Sequence, residues 1–364
     1  MSSPHGKSPD SSGNSYPQAE RTTLHRGEKS IFTPIQSVGR AGLLQKIMGK
    51  FERHTTGLAF GIGDDAAVLT SSGGRHPLLS SETYTEGVEF DLSYTPLKHL
   101  GFKVISMAVS DIYAMNGKPE VILLNLALTN KISVEMIEEF YEGVLSACKQ
   151  YDVALGGGDL SAAQAAMSVS ITAYGSSSEP VYRSGAQTGD AICVTGDLGA
   201  ASCGLMILLR EKKHFESSDQ KVMLPDLDMY EYVVSRQLMP VARRDCIDAF
   251  ETHKVVPTSL IDVSKGLNAT LLELCEASGK GARIYEAALP VSPETRETAN
   301  ELEQDIDSFV LYGGEDAELL FTLPEAEVEA FAKNFQDFVV IGQVGKAGDK
   351  LRMQTAEGSE MTLT

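Results

Sequence analysis

A carboxylate lies on what the spacing makes the buried stripe of a helix. Leu97, Leu100, Val104, Met107 and Asp111 follow one another at intervals of three, four, three and four, which puts Asp111 on the apolar face of an amphipathic helix. An unpaired charge buried there costs several kcal/mol even after relaxation. A fold that uses this helix must therefore protonate Asp111, pair it with a base or neutralise it with a cation.

Other acids sit in similar places. Asp64 and Asp65 follow Gly61-Ile62-Gly63, Asp159 ends the run Val153-Ala154-Leu155-Gly156-Gly157-Gly158, and Asp262 ends Ser259-Leu260-Ile261. Glycine beside an acid leaves room for a ligand to approach the backbone, and open α/β sheets bind ligands beyond strand ends. One such Asp is commonly a turn or cap residue; it is the recurrence that points to a site. If the acids converge, two charges ~4 Å apart cost roughly 4 kcal/mol at an effective dielectric of 20, so something positive belongs between them. No His or Cys stands at ligand spacing, which argues against zinc. An all-oxygen site favours a hard cation, most often Mg²⁺ carrying nucleotide phosphates.

A length of 364 residues with 42% apolar content is enough for two domains with substantial cores. The formal charge of −19, without a basic patch, argues against nucleic-acid partners and anionic membranes. Five scattered cysteines in mostly apolar settings read as reduced core thiols of a cytoplasmic protein, and no apolar run is long enough for a bilayer span.

Residues 1–30, rich in Ser, Pro, Gly and charge, read as a disordered arm. An N-terminal domain occupies 31–178, with strands expected at 58–62, 66–70, 77–81, 87–90, 121–128, 153–155 and 167–174 and two helices, one opened by Pro96 and one capped by Ser133. Gly175-Ser176-Ser177-Ser178-Glu179-Pro180 reads as the linker to an α+β C-terminal domain over 179–364. There strands are expected at 191–195, 259–262, 282–285, 319–322 and 338–344, and helices at 200–209, 229–237, 241–252, 267–277, 290–302 and 325–335, with an exposed insertion at 211–226.

Gly61-Ile62-Gly63-Asp64-Asp65-Ala66 satisfies the G-x-G-x-x-A dinucleotide pattern, but residues 67–74 read as a strand and a turn rather than a helix, and two carboxylates would repel a pyrophosphate. No P-loop and no protein-kinase signature is present.

Seven short motifs occur in order: Gly63-Asp64-Asp65-Ala66-Ala67-Val68, Glu86-Gly87-Val88, Ser110-Asp111-Ile112, Gly157-Gly158-Asp159, Arg183-Ser184-Gly185-Ala186, Asp262-Val263-Ser264 and Gly313-Gly314-Glu315-Asp316. Together, over about residues 33–345, they resemble the thiamine-monophosphate kinase family. The resemblance implies the two-domain fold shared with aminoimidazole ribonucleotide synthetase, with a β-rich N-terminal domain that dimerises through its sheet. It also implies transfer of the γ-phosphoryl of ATP to thiamine monophosphate. By that likeness Asp64, Glu82, Asp111, Asp159 and Asp262 hold Mg²⁺ with help from Ser81, and Asp111, Asp159 and Asp262 carry the catalysis. Tyr141, Gly158, Arg183 and Ser264 would contact ATP, and Glu315 and the position of Glu89 the substrate. From the residues alone, Tyr141 also reads as core on a helical stripe and Arg183 as a domain salt bridge.

Four positions depart from the family pattern. Glu82 stands for an Asp, Glu89 for a histidine, Lys265 for the second Asp of Asp-x-Ser-Asp, and Ala317 for an aromatic. Lys265 is expected to supply a fixed cation in place of a weakly held metal, paired with Glu89; the alternative is a solvated residue at a helix start. The departures keep two other readings open: an ATP-dependent enzyme acting on another small molecule, and a nucleotide-binding homodimer without catalysis.

Overall fold

The computed structural model describes residues 33–48, 57–71, 73–218 and 227–364. The arm expected over 1–30 and the second half of the insertion expected over 211–226 lie outside the described residues. The chain divides into two units. The described part of the first holds a 3-10 turn at Ile35–Ser37 and helix α1, Gly39–Met48.

The second unit, Thr55–Thr364, is built on two sheets. Strands β1 Leu58–Phe60, β2 Ala67–Leu69, β3 His76–Thr85, β4 Lys118–Leu128, β5 Ala154–Ala162 and β6 Ser168–Ser177 form the first, in the order β1-β2-β3-β6-β4-β5. Helices α2 Leu97–Tyr113 and α3 Val134–Tyr151 belong to this half, and α3 is the crossover that the parallel β4 and β5 require. The two helices cross closely, because a Cβ on Gly101 would lie 2.0 Å from the Phe140 carbonyl oxygen and one on Gly143 1.8 Å from that of Lys98. Ser133 caps α3, accepting from the Met136 amide, while Pro96 is the N-cap of α2 rather than its first residue.

In the other half α4 Ala200–Glu216, α5 Glu231–Leu238, α6 Arg244–His253, α7 Leu267–Ser278, α8 Pro293–Glu301, α9 Ile306–Tyr312 and α10 Glu325–Ala332 accompany the second sheet. Its strands are β7 Ala191–Thr195, β8 Ser259–Val263, β9 Ala282–Tyr285, β10 Glu318–Leu323, β11 Phe338–Val344, β12 Leu351–Gln354 and β13 Glu360–Thr362, in the order β13-β12-β9-β11-β7-β10-β8. Period-two alternation makes β8 and β10 serve two cores. Leu260, Leu319 and Phe321 enter the core that holds α2, and Ile261, Val263 and Leu320 the one beneath α7. Edge strand β8 is thereby laid against α2, which brings Asp262 to Asp111.

Several expectations are corrected. Gly175 to Ser177 are not linker but the end of β6, all three paired with β3 and Gly175 and Ser176 also with β4. Residues 87–90 form a turn with a positive φ at Gly87, not a strand. Helix α4 runs seven residues past 209, into the stretch expected to be an exposed insertion. Helix α9 and strands β12 and β13 carry no periodicity long enough to be expected from the sequence.

Candidate active site

Four elements deliver the acids. Asp65 comes from the loop between β1 and β2, Glu82 from β3, Asp111 from the last turns of α2 and Asp262 from β8. One carboxylate oxygen each of Asp65, Asp111 and Asp262 lies within 4.8 Å of the others. Burial pushes the Asp65 carboxyl well above the ordinary range, and the charge of Asp262 pushes it further while Arg183 opposes. Asp111 is pushed well above for the same first reason, with Glu82, Asp262 and Asp65 adding to it. Glu82 rises to about 7, chiefly from burial, although it accepts from the Tyr84 hydroxyl at 2.6 Å. Asp262 is raised by burial and relieved by the Ser264 hydroxyl, which donates at 3.0 Å, and by the charge of Lys265.

Asp65 is the most telling member. Its side chain is 7% exposed, Oδ1 accepts from Arg183 Nη2 at 2.5 Å, and Oδ2 is buried with no hydrogen-bond partner. Buried polar atoms are seldom left unpaired. An orphaned carboxylate oxygen beside two further carboxylates fits a hard cation, which takes oxygen ligands and removes the mutual repulsion. Asp65, Asp111 and Asp262 are the residues that can hold it.

Asp64 is placed differently from the sequence expectation. Its oxygens accept from the Arg183 backbone amide at 3.1 Å and from Arg183 Nε at 3.3 Å. Arg183 also donates from Nη1 to Glu273 at 2.7 Å, and Glu273 accepts from Lys265 at 3.1 Å. The result is a charge chain, Lys265 to Glu273 to Arg183 to Asp64 and Asp65. Lys265 is thus paired with Glu273 and not with Glu89, whose carboxylate accepts from the Thr85 amide at 2.8 Å.

Asp159 and Gly158 lie on β5, the exposed edge strand, with Asp159 in register with Asn125 of β4, so that within one chain Asp159 stands outside the triple. Tyr141 is part-buried on α3, edge-on to Phe140 at 5.6 Å between ring centroids. Ser81 faces the side of β3 opposite Glu82, where its hydroxyl donates to the Ile171 carbonyl at 3.2 Å.

Glu315 and Asp316, neighbours in one motif, have separate tasks. Asp316 is fully buried and accepts from the amides of Gly199 and Ala201 at 3.0 and 3.2 Å, holding the start of α4. Glu315 turns the other way, and its charge is felt by Glu82 and Tyr84. Glu315 and Ala317 both adopt positive φ, 67° and 57°, a conformation costing about 1–3 kcal/mol for residues with a side chain. Ala317 is wholly enclosed in the core shared with α2.

Family models agree with this architecture. The model described as AIR synthase related protein, N-terminal domain, matches residues 63–177, and the one described as AIR synthase related protein, C-terminal domain, matches residues 187–354. Thiamine-monophosphate kinase of Aquifex aeolicus is 31% identical over 310 residues, spanning 85% of this chain and 92% of that protein. The chain belongs to the thiamine-monophosphate kinase family. The family's enzyme from Bacillus subtilis is 32% identical over 278 residues, covering 76% of this chain and 81% of the relative. A solved structure described as AaThiL complexed with AMPPCP and TMP superposes with a TM-score of 0.76 at 29% identity, covering 91% of this chain and 97% of that one.

Sequence reasoning about this family member missed three residues of the site. Tyr84, like Glu82, lies beyond the strand expected at 77–81, because β3 runs on to Thr85. Glu273, on α7, is an ordinary helix-surface acid until Arg183 and Lys265 meet it. Lys103, which donates to Glu315 Oε2 at 2.9 Å, was legible, because a lysine inside Leu100-Gly101-Phe102-Lys103-Val104-Ile105 lies two turns before Asp111 on the same helix.

Proposed function

We propose that this protein transfers the γ-phosphoryl of ATP to thiamine monophosphate, forming thiamine diphosphate, with Mg²⁺ as the metal. The carrying observation is the partnerless Asp65 Oδ2 within a triple of converging carboxylates. The relative whose solved structure holds AMPPCP and TMP supports the choice of substrates. Bound at Asp65, Asp111 and Asp262, Mg²⁺ supplies charge neutralisation for the phosphates. The chain's own residues position and exclude: Arg183 fixes the Asp65 carboxylate, Ser264 orients Asp262, and Tyr84 orients Glu82. Phosphoryl transfer rests on such positioning and electrostatics. The acceptor is already a phosphate oxygen, so no strong protein base is needed.

Within this reading Tyr141, Gly158 and Ser264 serve the nucleotide, Asp159 a metal, and Glu315 the substrate. Arg183 commits three of its five N–H donors to acidic partners and can offer a phosphate those that remain. The protein acts as a homodimer through the outward face of the first sheet, where Leu79, Leu123 and Tyr174 are exposed together. It works in the cytoplasm, in keeping with five buried free cysteines. Among the described residues no helix is long and apolar enough to cross a membrane.

Purified protein incubated with Mg²⁺, ATP and thiamine monophosphate is expected to yield thiamine diphosphate and ADP on chromatography. Thermal stabilisation by Mg-ATP without that product would overturn the assignment of substrate while leaving a nucleotide site.

A further inference from the structure

The most deeply buried cation near the site is Lys103, 2% exposed, in the middle of α2. Its ammonium donates to the Gln237 carbonyl at 3.1 Å and to Glu315 Oε2 at 2.9 Å. Gln237 Nε2, from α5, donates to the same Oε2 at 2.9 Å. Both donors thus hold one oxygen of Glu315, whose side chain is 27% exposed, and its Oε1 has no hydrogen bond among the described residues. The backbone of Glu315 is fixed as well, its amide donating to the Ser264 carbonyl at 2.9 Å, two residues from Asp262. A carboxylate held by two donors, on a residue in the left-handed region beside a phosphate-handling triple, is a constrained functional group rather than a free surface acid.

Charge tells which end of a substrate it meets. Unlike Asp65, Asp111 and Asp262, Glu315 is not in the group placed to share a cation, so nothing there offsets its repulsion of phosphate; its Oε1 faces the end that carries none, and its unused lone pairs want an N–H donor. We propose that Lys103 and Gln237 are positioning residues that aim Glu315 Oε1 at the amino group of a cationic aminopyrimidine-bearing substrate, and so set its specificity without taking part in nucleotide binding. This rests on the reading of the site as a thiamine-phosphate kinase.

The test compares thiamine monophosphate with oxythiamine monophosphate, in which an oxo group replaces the amine. Wild type is expected to prefer the amine. In Lys103→Met, kcat/KM for thiamine monophosphate should fall about tenfold or more, the preference over the oxo analogue should narrow by a similar factor, and KM for ATP should stay within about twofold. Gln237→Leu should act in the same direction and less. It carries the test alone if Lys103→Met does not fold, because Gln237 Oε1 is buried without a partner, so Leu removes an unsatisfied acceptor, and Glu315 keeps the Lys103 donor. Equal losses on both substrates, or a matching rise in KM for ATP, would show a merely structural role and overturn the proposal. Wild type that turns over thiamine monophosphate, with variants that keep its preference, overturns this inference alone. Wild type without that turnover overturns the proposed function and this inference with it.

Discussion

Two buried groups of charges in this molecule are built on opposite principles. Around Glu318, 1% exposed on β10, the protein supplies its own cations: Arg236 and Arg243 each donate at 2.8 Å and the Thr195 hydroxyl at 2.6 Å. Arg243 is in turn held by Asp245 and Asp337. Around Asp65, Asp111 and Asp262 the nearest guanidinium, Arg183, is shared among Asp64, Asp65 and Glu273, and one Asp65 oxygen has no partner. An acid matched inside the protein is architecture. An acid group left short of positive charge is a place for a cation from outside.

The sharpest break of this comparison is Glu318→Gln. The change leaves Arg236 facing only the Asp197 and Asp316 carbonyls and Arg243 only its more exposed partners Asp245 and Asp337, so urea unfolding should show a loss of about 3 kcal/mol. A near-neutral result would mean that the Glu318 network is solvated in solution. Asp111→Asn should behave inversely. It relieves repulsion, so the metal-free protein should melt no lower than wild type, while turnover should drop by about 10²- to 10³-fold, as when one fixed electrostatic contact to a transition state is removed. Lost stability together with intact turnover would place Asp111 in the architectural class.

Titration separates the two regions further. The Glu82 pKa of about 7 in the folded state lies above its ordinary value of 4.5, so its contribution to stability is complete below about 4.5 and is lost as pH rises to about 7. Asp65, Asp111 and Asp262, raised in the same direction, add to the decline. Melting of the metal-free protein should therefore fall from pH 5 to 8, and the increment from millimolar Mg²⁺ should grow over that range. An increment that stays flat with pH would separate Mg²⁺ binding from these acids. The smallest effect is expected for Lys265→Asp. Lys265 favours the ionised forms of Asp65, Asp262 and Glu82, so the variant should need severalfold more Mg²⁺ for half-maximal stabilisation, and an unchanged requirement would make Lys265 a surface residue paired with Glu273.

Periodicity made the long elements legible. The stripe ending at Asp111 is α2, and the runs at 191–195, 282–285 and 338–344 are strands with the expected bounds. What escaped depends on partners distant in the chain. Ser176 and Ser177 look like linker composition, yet pairing with His76, Pro77 and Lys118 makes them strand. Strands β12 and β13, four and three residues long, exist through pairing with β9 and each other. Within the site, Asp64-Asp65 announced an acid doublet, but only the turn of that loop decides which of the two faces Asp111 and which faces the Arg183 backbone. The separation of Glu315 from Asp316 is equally invisible in sequence, since it is set by positive φ at Glu315 and by the amides of α4.

The central claim, that Asp65, Asp111 and Asp262 together hold a divalent cation shared with the phosphates of ATP, is tested most directly by diffraction. Crystals grown with Mn²⁺ in place of Mg²⁺ and a non-hydrolysable ATP analogue, measured at the manganese edge, should show an anomalous peak coordinated by oxygens of all three residues, Asp65 Oδ2 among them. A well-ordered analogue with no peak there, or with manganese bound only by other groups, would contradict the account.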